Sequence, residues 1–261
     1  VAWDGSVTID TRKGARLREK PELIADELRT LIAGGHLAEG EALGRESELI
    51  ERFGVSRPSL REALRILEAE GLISVLRGLH GGVIVHRPDE RMTARTAALV
   101  LHSRHVSLGD VLTARSLIEP LAARAIAGMR HRRAIIAQLS ATIDEQEEVV
   151  RDPEAFVAAN ARFHARLVAL AGNQTLSVVA ETLNEVVVRS LAAMAEAADA
   201  TVGSLATRRR AIRSQRRLLD LLDAGVPAAA EEHWRAHMAA VGKVRLGRDA
   251  ATVVDLVHHY P

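Results

Sequence analysis

The sequence predicts a mostly α-helical protein in two unlike parts: three short helices with a β-hairpin, then an antiparallel, all-helical bundle of six to seven helices. Three observations carry that prediction. Up to residue 86, helical apolar spacings are broken at short intervals by glycine and end on two β-type runs. From Pro88 onward the spacings are helical, strand signals are absent, and the breaks between segments are short. At 48% hydrophobic content, 261 residues suffice for one large core or two ordinary ones.

In the first part, Leu23, Ile24, Leu28, Leu31 and Ile32 form a helical apolar face that Gly34-Gly35 stops. Glu46 to Phe53 reads as a second, shorter helix, and Gly54-Val55-Ser56 as a tight turn. A third helix opens with Ser56 as its cap and Pro58 in its first turn, where a missing N–H costs nothing, and Gly71 ends it. Leu72 to Leu76 and Val83 to Val85 are β-type runs separated by Arg77-Gly-Leu-His-Gly-Gly82, which reads as a hairpin.

The second part divides into helical segments over 89–103, 107–127, 131–150, 153–171, 174–199, 203–224 and 227–246. The breaks fall at Gly128, Asp152-Pro153, Gly172-Asn173, Gly203 and Gly225-Val-Pro227. The expected organisation is a flexible arm over 1–18, a first domain over 19–86, a linker over 87–92, a helical domain over 93–247 and a tail over 248–261. That tail reads as either a short extra helix or a disordered end.

Composition removes several classes of function. With 35 Lys and Arg against 34 Asp and Glu, the formal charge is +1, so no global field advertises nucleic acid, an anionic membrane or an acidic partner. Cysteine is absent, which excludes disulfides, thiolate zinc sites and cysteine nucleophiles, and fits a reducing compartment. Aromatic residues are 2% of the chain, too few for a base-stacking platform. Residues 1–10 hold no basic segment followed by an apolar run, and no uncharged stretch approaches the ~20 residues a spanning helix needs, so a cytoplasmic location and no membrane partner are expected.

On the third helix, Leu60, Ala63, Leu64 and Leu67 occupy i, i+3, i+4 and i+7, while Arg57, Arg61 and Arg65 step by four along another face. One side is core; the other is a row of guanidinium groups. Arginine suits the two jobs of a helix in a DNA major groove, forking onto phosphate oxygens and onto guanine O6 and N7. The competing reading is a solvated stripe diluted by Glu62 and Glu68. The neighbours favour DNA: a short helix, a glycine turn, a capped basic helix and a Gly-rich hairpin bearing Arg77 form a winged helix-turn-helix layout.

Glu46-Ser-Glu-Leu49, then Phe53-Gly-Val-Ser-Arg-Pro-Ser-Leu-Arg-Glu-Ala-Leu-Arg-Ile-Leu-Glu-Ala-Glu-Gly-Leu-Ile73, then Arg77-Gly78 and Gly81-Gly-Val-Ile-Val85, resembles the GntR-type winged helix of bacterial transcription regulators over roughly residues 20–86. The resemblance implies that Arg57 and Arg61 contact an operator, that Arg45, Ser47 and Ser59 lie near backbone or bases, and that Arg77-Gly78 at the wing tip enters the minor groove. Ser56 and Arg65 complete the candidate DNA-binding set. Ser47 stands where some members carry a DNA-contacting arginine.

In the helical half, polar residues occupy seam positions. Leu108, Val111, Arg115, Ile118 and Ala122 step 3, 4, 3, 4, which puts Arg115 on an apolar seam where a charge needs a partner. Asn160 falls on the seam Phe156, Asn160, Phe163, Leu167, with His164 at i+4; Gln215 falls among Ile212, Leu219 and Leu222; His237 falls among Ala230, Trp234 and Val241. Singly, each reads as a satisfied core group, Arg115 pairing with Glu119 at i+4. Together they point to a polar cavity inside a bundle. His102, His105, His131, His233, His258 and His259 lack such a context and read as surface residues.

Arg115-Ser-Leu-Ile-Glu119, Asn160-Ala-Arg-Phe-His164 with the following Leu-Val-Ala-Leu-Ala-Gly-Asn173, and Arg235-Ala-His-Met238 resemble the FCD ligand-binding domain of the FadR subfamily of GntR regulators. In that family an Asp or Asn and a His four residues apart join two later His residues around a divalent metal, whose coordination small carboxylates complete. Matched residue by residue, the set here is Asn160, His164, Gln215 and His237, implying one zinc, nickel or manganese ion per chain. Gln215 stands where a His is expected and Asn160 where Asp is common, a set lacking the carboxylate and third imidazole of tight sites. Arg115, Asn160, His164, Gln215 and His237 are the candidate effector-binding residues, with Arg115 facing a small organic acid rather than a long-chain acyl thioester.

The resulting expectation is a homodimeric regulator, a repressor relieved by a small carboxylate metabolite, bound to a palindromic operator in double-stranded DNA. Two readings compete with it: a DNA-binding protein with a vestigial cavity, and a metal-dependent enzyme using His164 and His237. Against the enzyme, no carboxylate occupies the matched cavity positions and no Ser-His-Asp set or phosphate-cradling Gly loop is apparent.

Overall fold

In the computed structural model, which describes residues 20–76, 82–88, 90–197, 204–245 and 253–254, the chain divides into two units between Met92 and Thr93. Each has its own apolar core.

The first unit contains α1 (Lys20–Ala33), β1 (Ala42–Gly44), α2 (Glu46–Phe53), α3 (Arg57–Ala69), β2 (Ile73–Leu76) and β3 (Gly82–Val85). Ile24, Leu28, Leu31 and Ile32 of α1 meet Leu60, Leu64 and Leu67 of α3 in one cluster, closed by Leu49 and Phe53 of α2. Gly54 ends α2 in the left-handed region at φ 61°, a conformation that favours glycine, and lets the chain turn directly into α3. At the start of α3 the Ser56 hydroxyl accepts from Ser59 N, and Pro58 sits in the first turn.

The sheet has three strands and not the hairpin alone. β3 is central, with β2 antiparallel on one side (Ile73 opposite Val85, Val75 opposite Val83) and β1 antiparallel on the other (Ala42 opposite Ile84). β1 is three residues long, ends on Gly44 and has a register break, so it carries no alternating pattern; its existence is owed to the free edge of β3. The wing tip, with Arg77 and Gly78, lies outside the described residues.

Among the described residues the second unit contains α4 (Glu90–Ser103) from Thr93 onward, α5 (Leu108–Ala127), α6 (Arg132–Glu148), α7 (Pro153–Ala169), α8 (Gln174–Ala197), α9 (Leu205–Ala224) and α10 (Pro227–Arg245). Their ends have local causes. Ser107, Asp152 and Ser204 cap α5, α7 and α9 through their side chains, and Gly225 closes α9 at φ 66°. Trp234, Phe163, Leu139, Ile143 and Ile126 are fully buried at the centre of its largest cluster.

Two surface expectations are corrected here. Val254 is buried against Leu108, Val111, Val186 and Val187, its N–H donates to Val106 O at 3.0 Å, and Val253 bridges to Ser107, so this part of the tail is docked, neither an extra helix nor a loose end. His102 anchors it, with Nδ1 3.0 Å from Val254 O, and His233 is likewise half-buried with Nε2 2.8 Å from Ser214 O. A polar ring lying across a neighbouring segment is invisible to helical periodicity.

Asp152 Oδ1 accepts from Glu154 N at 3.0 Å and Ala155 N at 3.1 Å, opening the helix that carries Asn160 and His164. Asp152→Ala should therefore lower stability by about 1 kcal/mol, read as a fall in urea midpoint at unchanged m-value.

Candidate functional site

Polar groups gather at two places, one on the surface of the first unit and one inside the second. On α3 the three arginines face solvent, Arg57 61%, Arg61 57% and Arg65 74% exposed, while Leu60, Ala63, Leu64 and Leu67 are buried beneath them. Their counterions are few and local. Glu46 Oε1, at the first turn of α2, accepts from Arg61 Nε at 2.8 Å and lies 3.9 Å from Arg57 Nε; Arg65 Nη1 lies 3.2 Å from Glu62 Oε2. Ser47 and Ser56 are exposed, Ser56 Oγ lies 2.9 Å from Ser59 Oγ, and Arg45 N donates to Glu48 Oε2 at 2.8 Å. A groove of about 680 Å³ runs between Arg45, Ser47, Arg57, Arg61 and Arg65 on the helices and Leu76 and Gly82 on the strands, with four arginines lining it against two glutamates. Such a groove presents forked cations that are free to exchange partners, because exposed ion pairs are worth little.

Inside the second unit, Arg115, Asn160, His164, Gln215 and His237 are all buried, and two hydrogen-bonded assemblies account for four of them. The first centres on Glu119, 2% exposed. Its Oε1 accepts from Arg115 Nε at 3.0 Å with Nη2 2.8 Å away, and its Oε2 accepts from His164 Nδ1 at 2.6 Å and Trp234 Nε1 at 3.0 Å. His237 stacks on Trp234 at 4.3 Å and lies 6.1 Å from the His164 ring. The second is a chain of amides: Gln146 Nε2 donates to Gln215 Oε1 at 2.8 Å, and Gln215 Nε2 donates to Asn160 Oδ1 at 3.0 Å, tying α6, α9 and α7.

The sequence reading left Glu119 outside the cavity; the structure puts it at the centre. It does not revive the enzyme reading. Burial alone would raise its pKa, but the charges of His164 and Arg115 and the hydrogen bonds from His164 and Trp234 outweigh it and hold the carboxyl at about 2, well below the usual 4.5. A base so strongly committed to its donors is poorly matched to proton abstraction near neutral pH. Arg115, in turn, is paired with Glu119, so the i+4 pairing is formed, while its Nη2 is left without a hydrogen-bond partner among the described residues. Gln146 and Glu119 were both detectable in principle: Leu139, Ile143 and Gln146 step 4, 3, and Glu119 follows Arg115 by one turn.

These residues do not fit a resident divalent ion. Gln215 turns its NH2, not its oxygen, toward Asn160, and the oxygens of both amides already accept hydrogen bonds. Among the described residues no group of three or more His, Cys, Asp or Glu is arranged as a metal site. Two imidazoles with committed neutral amides lack the charge and donor number that bind zinc, nickel or manganese tightly.

Glu119→Gln should destabilise the fold by about 3–5 kcal/mol, because Arg115 is left buried without its counter-charge. The pH dependence has a definite sign. With a depressed folded-state pKa, the carboxylate's contribution is complete above about pH 4.5 and is lost as pH falls toward 2, so thermal melts in that range should slope steeply in the wild type and less in Glu119→Gln.

Comparison with known proteins places both regions. The family model "Bacterial regulatory proteins, gntR family" matches residues 21–82, and the model "FCD domain" matches residues 110–240. The chain is 31% identical over 165 residues to the Uxu operon regulator of Haemophilus influenzae, covering 61% of this chain and 58% of that protein, so it spans under two thirds of that relative's length. It is 38% identical over 84 residues to the HTH-type transcriptional repressor NanR of Escherichia coli, covering 30% of each. A solved structure of Streptococcus agalactiae GntR shares the fold at TM-score 0.63 and 21% identity, with 86% of this chain and 99% of that one covered. Among the described residues no helix is long and apolar enough to cross a membrane. The FCD model alone spans half of the sequence, and with the winged helix before it the chain belongs to the GntR family of transcription regulators that carry an FCD domain.

Proposed function

We propose that this protein is a homodimeric repressor of the FadR subfamily that holds a palindromic double-stranded operator and releases it when a small organic acid enters the helical unit. The observation that carries the reading is the row Arg57, Arg61 and Arg65, more than half exposed along the groove in one unit, while the other unit buries a separate polar interior. On DNA, Arg61 exchanges the Glu46 carboxylate for a phosphate or a guanine edge, a replacement of one charge-assisted hydrogen bond by another. Arg57 reads beside it, Arg45, Ser47, Ser56, Ser59 and Arg65 hold the backbone, and Arg77-Gly78 enters the minor groove.

The dimer reading is supported by apolar side chains left in solvent. Leu117 and Leu121 on α5 and Leu176 and Val179 on α8 are exposed around the small buried cluster of Ala122, Val168 and Ala180, where those two helices pack. A two-fold copy covers such a face with itself, and that symmetry matches a palindromic operator. Occupancy of the interior must favour one arrangement of the domains over another, with residues 87–92 as the linker between them.

The reading is tested by selecting bound duplexes from a random library and titrating the winner in mobility-shift assays. A palindromic motif is expected, and Arg61→Ala should weaken its binding by roughly 5- to 100-fold while the sedimentation mass stays that of a dimer. Unchanged affinity would remove α3 from the interface. Leu121→Asp should give a monomer by sedimentation and weaken operator binding by at least about 10-fold, because each half-site then binds alone.

A further inference from the structure

Two acidic side chains line the groove beside α3, and they differ in what holds them. Glu68 is committed to the sheet, its Oε1 accepting from Val75 N at 3.1 Å. Glu46, the first residue of α2, is held among the described residues by two side chains of α3: its Oε1 accepts from Arg61 Nε at 2.8 Å and lies 3.9 Å from Arg57 Nε. The side chain keeps 32% of its surface in solvent, so a base edge entering the groove can reach it.

A carboxylate in that place is costly on DNA. Phosphates repel it, and once Arg61 leaves Glu46 for the duplex the acid has lost a counterion as well. The cost is offset only by an N–H, since an ionised carboxylate accepts hydrogen bonds and never donates them. In the major groove the bases offer two such donors, cytosine N4 and adenine N6. Adenine N6 is flanked by N7, whose lone pair faces the second carboxylate oxygen, whereas cytosine N4 has no acceptor of its own base beside it. Thymine O4 and guanine O6 are acceptors and oppose the carboxylate outright, so such a residue selects by repulsion as much as by attraction. Bases stack about 3.4 Å apart, close to the 2.8 Å between Arg61 Nε and Glu46 Oε1, so the two groups meet successive base pairs.

We infer that Glu46 is a base-reading residue on α2, accepting from the N4 amino group of a cytosine in the base pair next to the one whose guanine Arg61 reads. This rests on the DNA reading of α3 above and adds to it a base and a position. Recognition of a half-site is then shared by two helices, with a cation on one and an anion on the other.

The test measures every single base-pair substitution in one half-site of the selected operator by mobility-shift titration, using full-length wild type, Glu46→Ala, Glu46→Gln and Arg61→Ala, with an unrelated duplex alongside. For the wild type, replacing the cytosine should weaken binding by about 5- to 20-fold. Glu46→Ala should cut that loss to about 2-fold or less at this position alone, while tightening binding to the unrelated duplex because a like charge has gone. Glu46→Gln should move the preferred base there from cytosine to adenine, whose N6 and N7 suit an amide. Glu46 lies outside the apolar cluster of its unit and Glu46→Gln keeps its shape, so a folding defect in Glu46→Ala leaves the test standing. Tighter binding to all sequences, with the wild-type base profile kept in both variants, would make Glu46 a counterion only and overturn the inference. Loss of discrimination at the guanine of Arg61, rather than beside it, would make Glu46 a support for that arginine and overturn it as well. Wild-type affinity of Arg61→Ala for every sequence would be a separate failure, that of the α3 reading, and would end the inference with it.

Discussion

The helical unit depends on a carboxylate that never meets water. Taking Glu119 out of solvent costs several kcal/mol, and the fold recovers it only by bringing three hydrogen-bond donors and the Arg115 charge to two oxygens. Those donors come from three helices, Arg115 on α5, His164 on α7 and Trp234 on α10, so the carboxylate can be satisfied in one mutual setting of the three. The aromatic stack continues the constraint: Trp234, fixed by its N–H, presents a face on which His237 lies at 4.3 Å. The gain is in orientation more than in stability, since an apolar core of the same volume would pack as well or better.

Three arginine environments follow from the same electrostatics and separate their roles. Arg61 keeps more than half of its surface in water and holds Glu46 by a bond that solvent can replace at little cost, so it can trade partners. Arg115 is buried with Glu119 at 2.8 Å and is committed to it. Arg208 is buried, with Nε and Nη1 lacking a hydrogen-bond partner among the described residues. An exchangeable contact, a structural pair and a buried, incompletely hydrogen-bonded cation are what these settings make of one side chain.

What could be read from the sequence was whatever has a period or a local stop. The seven helices of the second unit begin and end within a few residues of their expected limits, because glycine, proline and capping side chains act over one turn. The cap at Ser56 was legible for the same reason. β1 was not, since three residues ending in glycine hold no pattern and depend on a strand forty residues away. Seam spacing put Arg115, Asn160, His164, Gln215 and His237 inward, yet it could not say that Arg115 would be quenched, that Gln146 would complete an amide chain or that Val254 would return to His102. Arg208 fits the seam of Ile212 and Gln215 by the same arithmetic, but lies among Arg209, Arg210 and Arg213, where a charged run reads as a solvated face.

The exchange of a metal site for an amide chain changes what the interior can discriminate. A divalent ion binds any carboxylate strongly through charge and leaves selectivity to the remaining walls. Neutral amides supply no such attraction, and Gln146, Gln215 and Asn160 instead hold three helices together. Because Gln215 sits on α9 while its amide partners Gln146 and Asn160 sit on α6 and α7, any change in these two hydrogen bonds acts on the setting of α9 against its neighbours. A change in that setting is the form in which differential binding energy can reach the rest of the unit.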